Sequence, residues 1–384
     1  MRLAAVIAEY NPFHAGHAYH LAETRKAGAT HIAAVMSGAC VQRGEFAIQP
    51  KHIRAKAALE GGADLVVTLP APWSCGRAQD FANAAVHIIR SLGAEMLSFG
   101  SECGDGRALE NAASFLETWK VEAADEVSFA RARENALEAA QPGSGVLLRS
   151  PNDTLAIEYI LACRRRGFAP QFLAVKRSGT AHDGPGSASH LRAQILSDCE
   201  SGDGIYWPIR PDKLDAVFLY KLRSMRFADF AALPDVPGDL ALRYVTVAGQ
   251  ADSAAEFAEK ASCKSCTAAR ARRALLHAVL GVKKEEMYAL PKYIQVLALN
   301  TRGQEILRAM KQNAAAADSG TAESAGDSPP LLPIISRLSQ ILLMKPDALA
   351  QFNQEHKAAD ISGLAMPQLQ KRSWEGRIQL TVNT

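Results

Sequence analysis

Three observations predict an α/β fold in which a doubly wound parallel sheet is followed by a mostly helical domain. Short apolar runs alternate with helix-like segments through the first half of the chain. Each run stops at Gly, Pro, Asn or Ser. The alternation ends near residue 205, and helix-like segments then succeed one another.

The runs 3–8 (LAAVIA), 31–38 (HIAAVMSG), 64–70 (DLVVTLP), 96–101 (MLSFGS) and 171–176 (QFLAVK) read as buried strands. They are apolar throughout rather than alternating, as strands covered on both faces are. The segments 51–63 and 81–94 read as helices stopped by Gly, and 108–141 is Ala- and Glu-rich and helical. Pro151-Asn152 stands ahead of a helix, with Asn152 at an apparent N-cap. The Gly-, Ser- and His-rich loop 178–189 leads into a helix at SHLRAQIL. Segments 212–231, 253–280, 284–311 and 331–345 read as helices. Two domains are expected, 1–205 and 206–384, with a low-complexity stretch at 312–330 read as a flexible surface insertion.

Composition narrows the function classes. With 48% hydrophobic and 22% charged residues the chain is globular, and a formal net charge of +3 rules out a global polyelectrolyte argument for nucleic acid. No stretch reaches the roughly 20 apolar residues of a membrane span, so no membrane partner is expected. The start reads as a strand, not a signal peptide. Seven scattered Cys imply reduced thiols and a cytoplasmic protein. Only Cys263-x-x-Cys266 has metal-like spacing; with no second pair at a suitable distance, no metal site is expected.

The chemistry concentrates in Asn11-Pro12-Phe13-His14-Ala15-Gly16-His17, which comes directly after the first strand and opens a helix. A helix N-terminus supplies free N–H groups and a positive dipole, and Gly lets backbone approach a phosphate. His14 and His17 share one face of the first turn and suit donation to phosphate oxygens as charge builds in nucleotidyl transfer. Two other readings stay open: metal ligation by His14, His17 and His20, and surface histidines. A second basic element fits the same pocket: Lys176 and Arg177 end a strand, and Ser187, Ser189 and Arg192 open the next helix, where β- and γ-phosphates would be met. Ser37, Gly38, Gln42 and Arg43 lie in the loop after the second strand, the place for substrate contacts. Gly100 ends the strand at 96–101, where adenine or ribose would approach. In the helical half Lys264, Arg270, Arg272 and Arg273 cluster, and Arg164, Arg165 and Arg166 form another run. Such clusters suit phosphate-backbone contacts or simply solvated faces.

These motifs together resemble the bacterial tRNA(Met) cytidine acetate ligases, whose catalytic domain is of the HxGH nucleotidyltransferase, Rossmann-like type. The resemblance is carried by Ala8-Glu9-Tyr10-Asn11-Pro12-Phe13-His14-Ala15-Gly16-His17, Ser37-Gly38, Val41-Gln42-Arg43-Gly44-Glu45, Gly61-Gly62-Ala63-Asp64-Leu65, Phe99-Gly100-Ser101-Glu102, Pro151-Asn152 and 187–192. It is dense over 1–200 and sparser beyond. Ala39, Cys40 and Thr68 depart from the family pattern, and the stretch 312–330 is unusual.

The resemblance implies a ligase acting on ATP, acetate and elongator tRNA(Met), with Mg2+ accompanying the ATP. It implies ATP binding by Ile7, Ala8, Glu9, Tyr10, Asn11, Pro12, Phe13, His14, Ala15, Gly16, His17, Ala18, Tyr19, His20, Gly100, Asn152 and Arg177, joined by Lys176, Ser187 and Ser189. Acetate attacks the α-phosphorus while His14, His17 and Arg192 stabilise the charge passing to pyrophosphate. The wobble cytidine N4 amine then attacks the acetyl-adenylate and AMP leaves, with no protein nucleophile. Lys264, Arg270, Arg272 and Arg273 are the expected tRNA contacts. The rivals are a nucleotidyltransferase that joins AMP or CMP to a phosphorylated small molecule, and a non-catalytic RNA-binding protein.

Overall fold

The computed structural model describes residues 1–120, 129–177, 187–201, 208–318, 332–377 and 381–382. Its centre is a sheet of eight strands: β1 (Leu3–Ala8), β2 (His31–Ser37), β5 (Leu65–Leu69), β6 (Met96–Ser101), β7 (Gln171–Lys176), β8 (Ile294–Leu299), β9 (Ile334–Ile335) and β10 (Thr381–Val382). A small antiparallel ribbon, β3 (Cys40–Val41) and β4 (Glu45–Phe46), stands apart. The order is β10-β8-β5-β2-β1-β6-β7, with β9 beside β8. The strands from β5 to β7 run parallel, and β8 is antiparallel to β5.

Helices cover both faces, which is why the strands are uniformly apolar. Ala4, Val6, Ala34 and Met36 meet α1 (Ala15–Lys26) and α2 (Lys51–Glu60). Leu3, Ala5, Ile7 and Val35 meet α3 (Ala78–Leu92) and, later in the chain, the helix Pro151–Arg165. Each fully buried aliphatic side chain contributes about 1.5–3 kcal/mol, enough in sum to fix the doubly wound layer order. Between these come α4 (Gly106–Thr118) and α5 (Phe129–Ala140), so Pro151–Arg165 is α6, and α7 (Ala188–Ser201) comes next.

A second body is built from α8 (Asp215–Ser224), α9 (Phe227–Ala231), α10 (Gly238–Ala248), α11 (Ala254–Ala261), α12 (Ala268–Leu280) and α13 (Lys284–Tyr288). Its core holds Phe218, Phe230, Tyr244, Phe257 and Leu276. It extends to Cys40, Phe46, Ala71 and Cys75, so the helical body packs directly on the loops after β2 and β5. The chain then returns through α14 (Thr301–Asp318) and α15 (Pro346–Gly363).

The return corrects three expectations. Residues 284–311 are not one helix, because β8 lies between α13 and α14 and enters the sheet. A short apolar run reads equally as strand or helix, and pairing with β5 decides it; Pro291 ends any helix before it. Residues 331–345 hold β9 and a 3-10 turn at Leu338–Leu343. Residues 312–318 continue α14, while the rest of the expected insertion at 312–330 lies outside the described residues, as does 178–186 of the Gly-rich loop. The sheet therefore draws strands from both sides of the expected 205/206 boundary.

Candidate nucleotide site

β1 delivers the chain to the carboxyl edge of the sheet, where Tyr10 takes a left-handed φ of 47° and the Asn11–Pro12 peptide is cis. The turn is pinned from two sides. Asn11 Oδ1 accepts the Ile48 N–H at 2.7 Å, and the Asn11 carbonyl accepts Arg192 Nη1 at 2.9 Å.

His14 is the N-cap of α1. Its Nδ1 accepts the Gly16 N–H at 3.1 Å, and His17 Nδ1 accepts the His14 N–H at 3.3 Å, a reciprocal capping box made of two imidazoles. The rings stack with centroids 3.8 Å apart at 21°, and Tyr10 and Phe13 pack edge-on or tilted behind His17. Because both Nδ1 atoms accept, each neutral ring carries its proton on Nε2. Burial, and after it the Arg177 charge, holds His14 below the ordinary imidazole value. Burial, then the neighbouring His14 and His20 and Arg177, holds His17 well below it. The pair is thus neutral at pH 7 and presents two Nε2–H donors at a helix N-terminus, which suits an anion that accumulates charge.

Around this pair the structure brings together the expected residues from five segments. Arg177 directly follows β7, donates its backbone N–H to the Ser101 carbonyl at 3.0 Å, and acts electrostatically on both histidines. Arg192 bridges the Asn11 carbonyl and Ser189 Oγ, the latter at 3.1 Å. Ser187 Oγ accepts the His190 N–H at 3.2 Å and so serves α7 as a cap. Glu9 accepts the Gln42 N–H at 2.8 Å, joining the first turn to the loop after β2. Burial raises the Glu9 pKa despite that bond and the charges of Arg43, Arg54 and Arg192. Lys176 is exposed beside Gly104, and Gly100 approaches only the stem of Arg177.

Other residues take different places from those expected. Asn152 is not the N-cap of α6; Ser150 is, and Pro151 and Asn152 lie in the first turn. The Asn152 side chain donates to Glu102 Oε1 at 2.6 Å, and Glu102 Oε2 accepts the Asp153 N–H at 3.0 Å. Asp153 in turn accepts the N–H groups of Glu102 and Cys103 at 3.0 and 3.1 Å. His20 points back to the sheet, with Nε2 at 2.8 Å from Ser98 Oγ, and burial lowers its pKa to about 4. The Ile7 side chain lies in the core. Tyr19 is exposed on α1, and Ala15 and Ala18 are on its first turn.

The loop 37–45 is held by residues that no sequence motif marked. Arg54, fully buried, donates to the carbonyls of Gln49, Glu9 and Ser37 at 2.9, 2.7 and 3.0 Å, and also to that of Gly38. A Cβ on Gly38 would lie 2.2 Å from Glu355 Oε1, and one on Gly44, at φ +81°, would lie 2.4 Å from the Arg273 backbone nitrogen. Only glycine permits either approach. The signal in the sequence was weak, since KHIRAK reads simply as a helix.

The arginines of α12 are engaged within the protein. Arg270 donates to the Asp235 carbonyl and to Asp235 Oδ1 at 2.9 Å, and to the Ser265 carbonyl at 3.0 Å. Arg272 pairs with Glu45 at 3.1 Å and donates to the Arg43 carbonyl at 3.2 Å. Arg273 lies 4.0 Å from Asp235 and is mostly buried. Lys264 is exposed. The three arginines are therefore not free cations: Arg272 ties the helical body to the loop 43–45, while Arg270 and Arg273 turn to Asp235 inside that body.

Known proteins are similar to this chain in sequence and in architecture. The profile of the HIGH Nucleotidyl Transferase family matches residues 1–371. The chain is 33% identical to the tRNA(Met) cytidine acetate ligase of Caldicellulosiruptor saccharolyticus over 81% of this chain and 86% of that protein. It is 30% identical to that of Thermoanaerobacter sp. over 95% and 96%. The fold is similar to that of Thermotoga maritima TmcAL crystallised with alpha-thio ATP, at a TM-score of 0.85 and 26% identity, covering 100% of this chain and 99% of that one.

Proposed function

The chain belongs to the HIGH Nucleotidyl Transferase family and, within it, to the tRNA(Met) cytidine acetate ligases, and on that footing we propose that it acetylates the N4 amine of the wobble cytidine of elongator tRNA(Met) by way of acetyl-adenylate. The observation that carries the reading is the pair of neutral imidazoles, His14 and His17, whose Nε2–H donors stand at the start of α1, with the Arg177 charge acting on both rings and Arg192 bonded to the Asn11 carbonyl of the same turn.

ATP enters with its phosphates over this N-terminus. Acetate attacks the α-phosphorus; the bond to the β,γ-pyrophosphate breaks, and His14, His17 and Arg192 stabilise the charge that leaves with it. Preorganised donors of this kind act on the transition state without a covalent intermediate. The cytidine amine then attacks the acetyl carbonyl, the mixed anhydride breaks, and AMP departs. Mg2+ travels with the triphosphate; among the described residues no three metal-ligating side chains converge. Glu102 and Asn152 shape the adenosine side through the Ser101–Gly104 turn.

The tRNA lies along the loop 37–45, the turn before α12 and the start of that helix, where Lys264 and Arg272 keep access to solvent. No helix among the described residues is long and apolar enough to cross a membrane, and a tRNA substrate places the protein in the cytoplasm.

The test is mass spectrometry of tRNA(Met) incubated with the protein, ATP and isotopically labelled acetate. A labelled acetyl group on the wobble cytidine is expected. ATP consumption with AMP transferred to a phosphorylated small molecule, or CMP transfer when CTP is supplied instead, and no acetylated tRNA, would replace the reading with a nucleotidyltransferase.

A further inference from the structure

A cavity of about 260 Å³ lies where the end of α6 meets α3 and the segment 287–290. It is on the sheet face that carries α3 and α6, opposite the face that carries α1. Its walls include Trp73, Asn83, Arg165, Arg166 and Tyr288. The run Arg164-Arg165-Arg166 divides here. Arg164 is tied down, donating to Ser114 Oγ at 3.0 Å, the Glu110 carbonyl and Glu117. Among the described residues Arg165 reaches only Asn83 Oδ1, at 3.5 Å, and the buried Nε of Arg166 has no partner.

Arg25, Arg133 and Arg270, by contrast, each meet a carboxylate within 2.9 Å. The single carboxylate on the cavity wall, Asp80, is already held by Arg77 at 2.8 and 3.2 Å. Two cations therefore face a common space whose carboxylate, Asp80, is already paired with Arg77. Burial, and after it the charges of Arg165 and Arg90, pulls the Arg166 pKa down, so an incoming anion relieves the crowding. Trp73 is fixed in the wall by its Nε1–H bond to the Ala289 carbonyl at 2.9 Å. Tyr288, 76% exposed, stands at the rim. A guanidinium fork grips a phosphate, and an exposed aromatic ring stacks on a base or ribose.

We propose that this cavity is a subsite for one nucleotide of the RNA substrate, with its phosphodiester between Arg165 and Arg166 and its base against Tyr288. The inference rests on the reading of a tRNA as substrate. A polymer fits better than a free nucleotide because Arg165 and Tyr288 leave the mouth open, so a passing strand can present one residue without detaching.

The experiment measures binding of a tRNA(Met) transcript between about 50 and 200 mM salt. The Arg165→Gln/Arg166→Gln pair is expected to weaken binding about tenfold and to lower the log–log salt slope by about 0.7, the contribution of one single-strand phosphate contact. Arg165→Lys/Arg166→Lys keeps the slope. Tyr288→Ala weakens binding at least fivefold with the slope unchanged, since stacking carries no charge, by about 1 kcal/mol or more per base. Acetate-dependent pyrophosphate exchange stays at the wild-type rate in all three. Wild-type affinity and slope in the Gln pair overturn the proposal. So does CMP binding that the Gln pair abolishes while tRNA affinity stands. If the wild type fails to acetylate tRNA(Met) while the Gln pair still loses RNA affinity, the substrate reading falls and the subsite remains.

Discussion

Glu355 and Ala39 lie 316 positions apart, yet the Glu355 carboxylate accepts the Ala39 backbone N–H at 2.9 Å. The same carboxylate accepts the Ala71 N–H at 2.8 Å and meets Lys51 Nζ at 2.9 Å; Glu375 meets that ammonium from the other side at 2.9 Å. Lys51, Glu355 and Glu375 are all buried. One carboxylate from the last long helix thereby fastens both the loop after β2 and the loop after β5. Burial works against the Lys51 ammonium, but Glu355 and Glu375 outweigh it and hold its pKa above the ordinary value.

Glu355→Ala should therefore destabilise the protein by about 3–5 kcal/mol, because it leaves a buried ammonium short of a partner and two buried amides unpaired. Urea unfolding measures this. A midpoint equal to wild type would show that the network adds nothing to the fold.

His17→Ala removes one of the two Nε2–H donors and the reciprocal half of the cap on His14. Acetate-dependent pyrophosphate exchange should fall by about 10²–10³-fold, the usual cost of losing one preorganised donor. Exchange at the wild-type rate would move the phosphates away from α1.

His20 makes stability depend on pH. Its folded pKa is about 4, lowered by burial from 6.5. Below 6.5 the unfolded chain binds a proton that the folded chain refuses. Stability from this group is thus complete above about pH 6.5 and is lost toward pH 4, at up to about 1.4 kcal/mol per unit. His20→Gln should flatten the slope of the unfolding free energy over that window. Equal slopes in variant and wild type would mean that His20 titrates normally.

Arg270→Ala should cost stability rather than RNA affinity. The change removes four hydrogen bonds to Asp235 and Ser265 and the shortest ion pair of the Asp235 carboxylate, a loss of about 2 kcal/mol. Thermal unfolding and tRNA binding measured side by side separate the two effects. A large drop in affinity with an unchanged melting temperature would return Arg270 to the RNA surface.

The local part of the site was legible in the chain. His14, Gly16 and His17 act within one helical turn, so their spacing and the strand before them already place the rings at a helix N-terminus. The five strands of the main sheet up to β7 were legible too, since strands covered by helices on both faces are mostly apolar runs. β8 was not. IQVLAL is too short to declare its type, and antiparallel pairing with β5 across more than 200 positions made it a strand.

By itself, then, the sequence determined the features that neighbouring residues decide among themselves: the strand–turn–helix frame, the imidazole pair, and the order of loops along the sheet edge. Tertiary structure alone decided how the charges are used. Arg54 and Glu355 look like ordinary surface residues in a string of letters, and Arg270, Arg272 and Arg273 look like a free basic patch. Charge is expensive to bury without a partner, and the partners Gly38, Asp235, Glu45 and Lys51 come from distant segments that meet only when the chain closes.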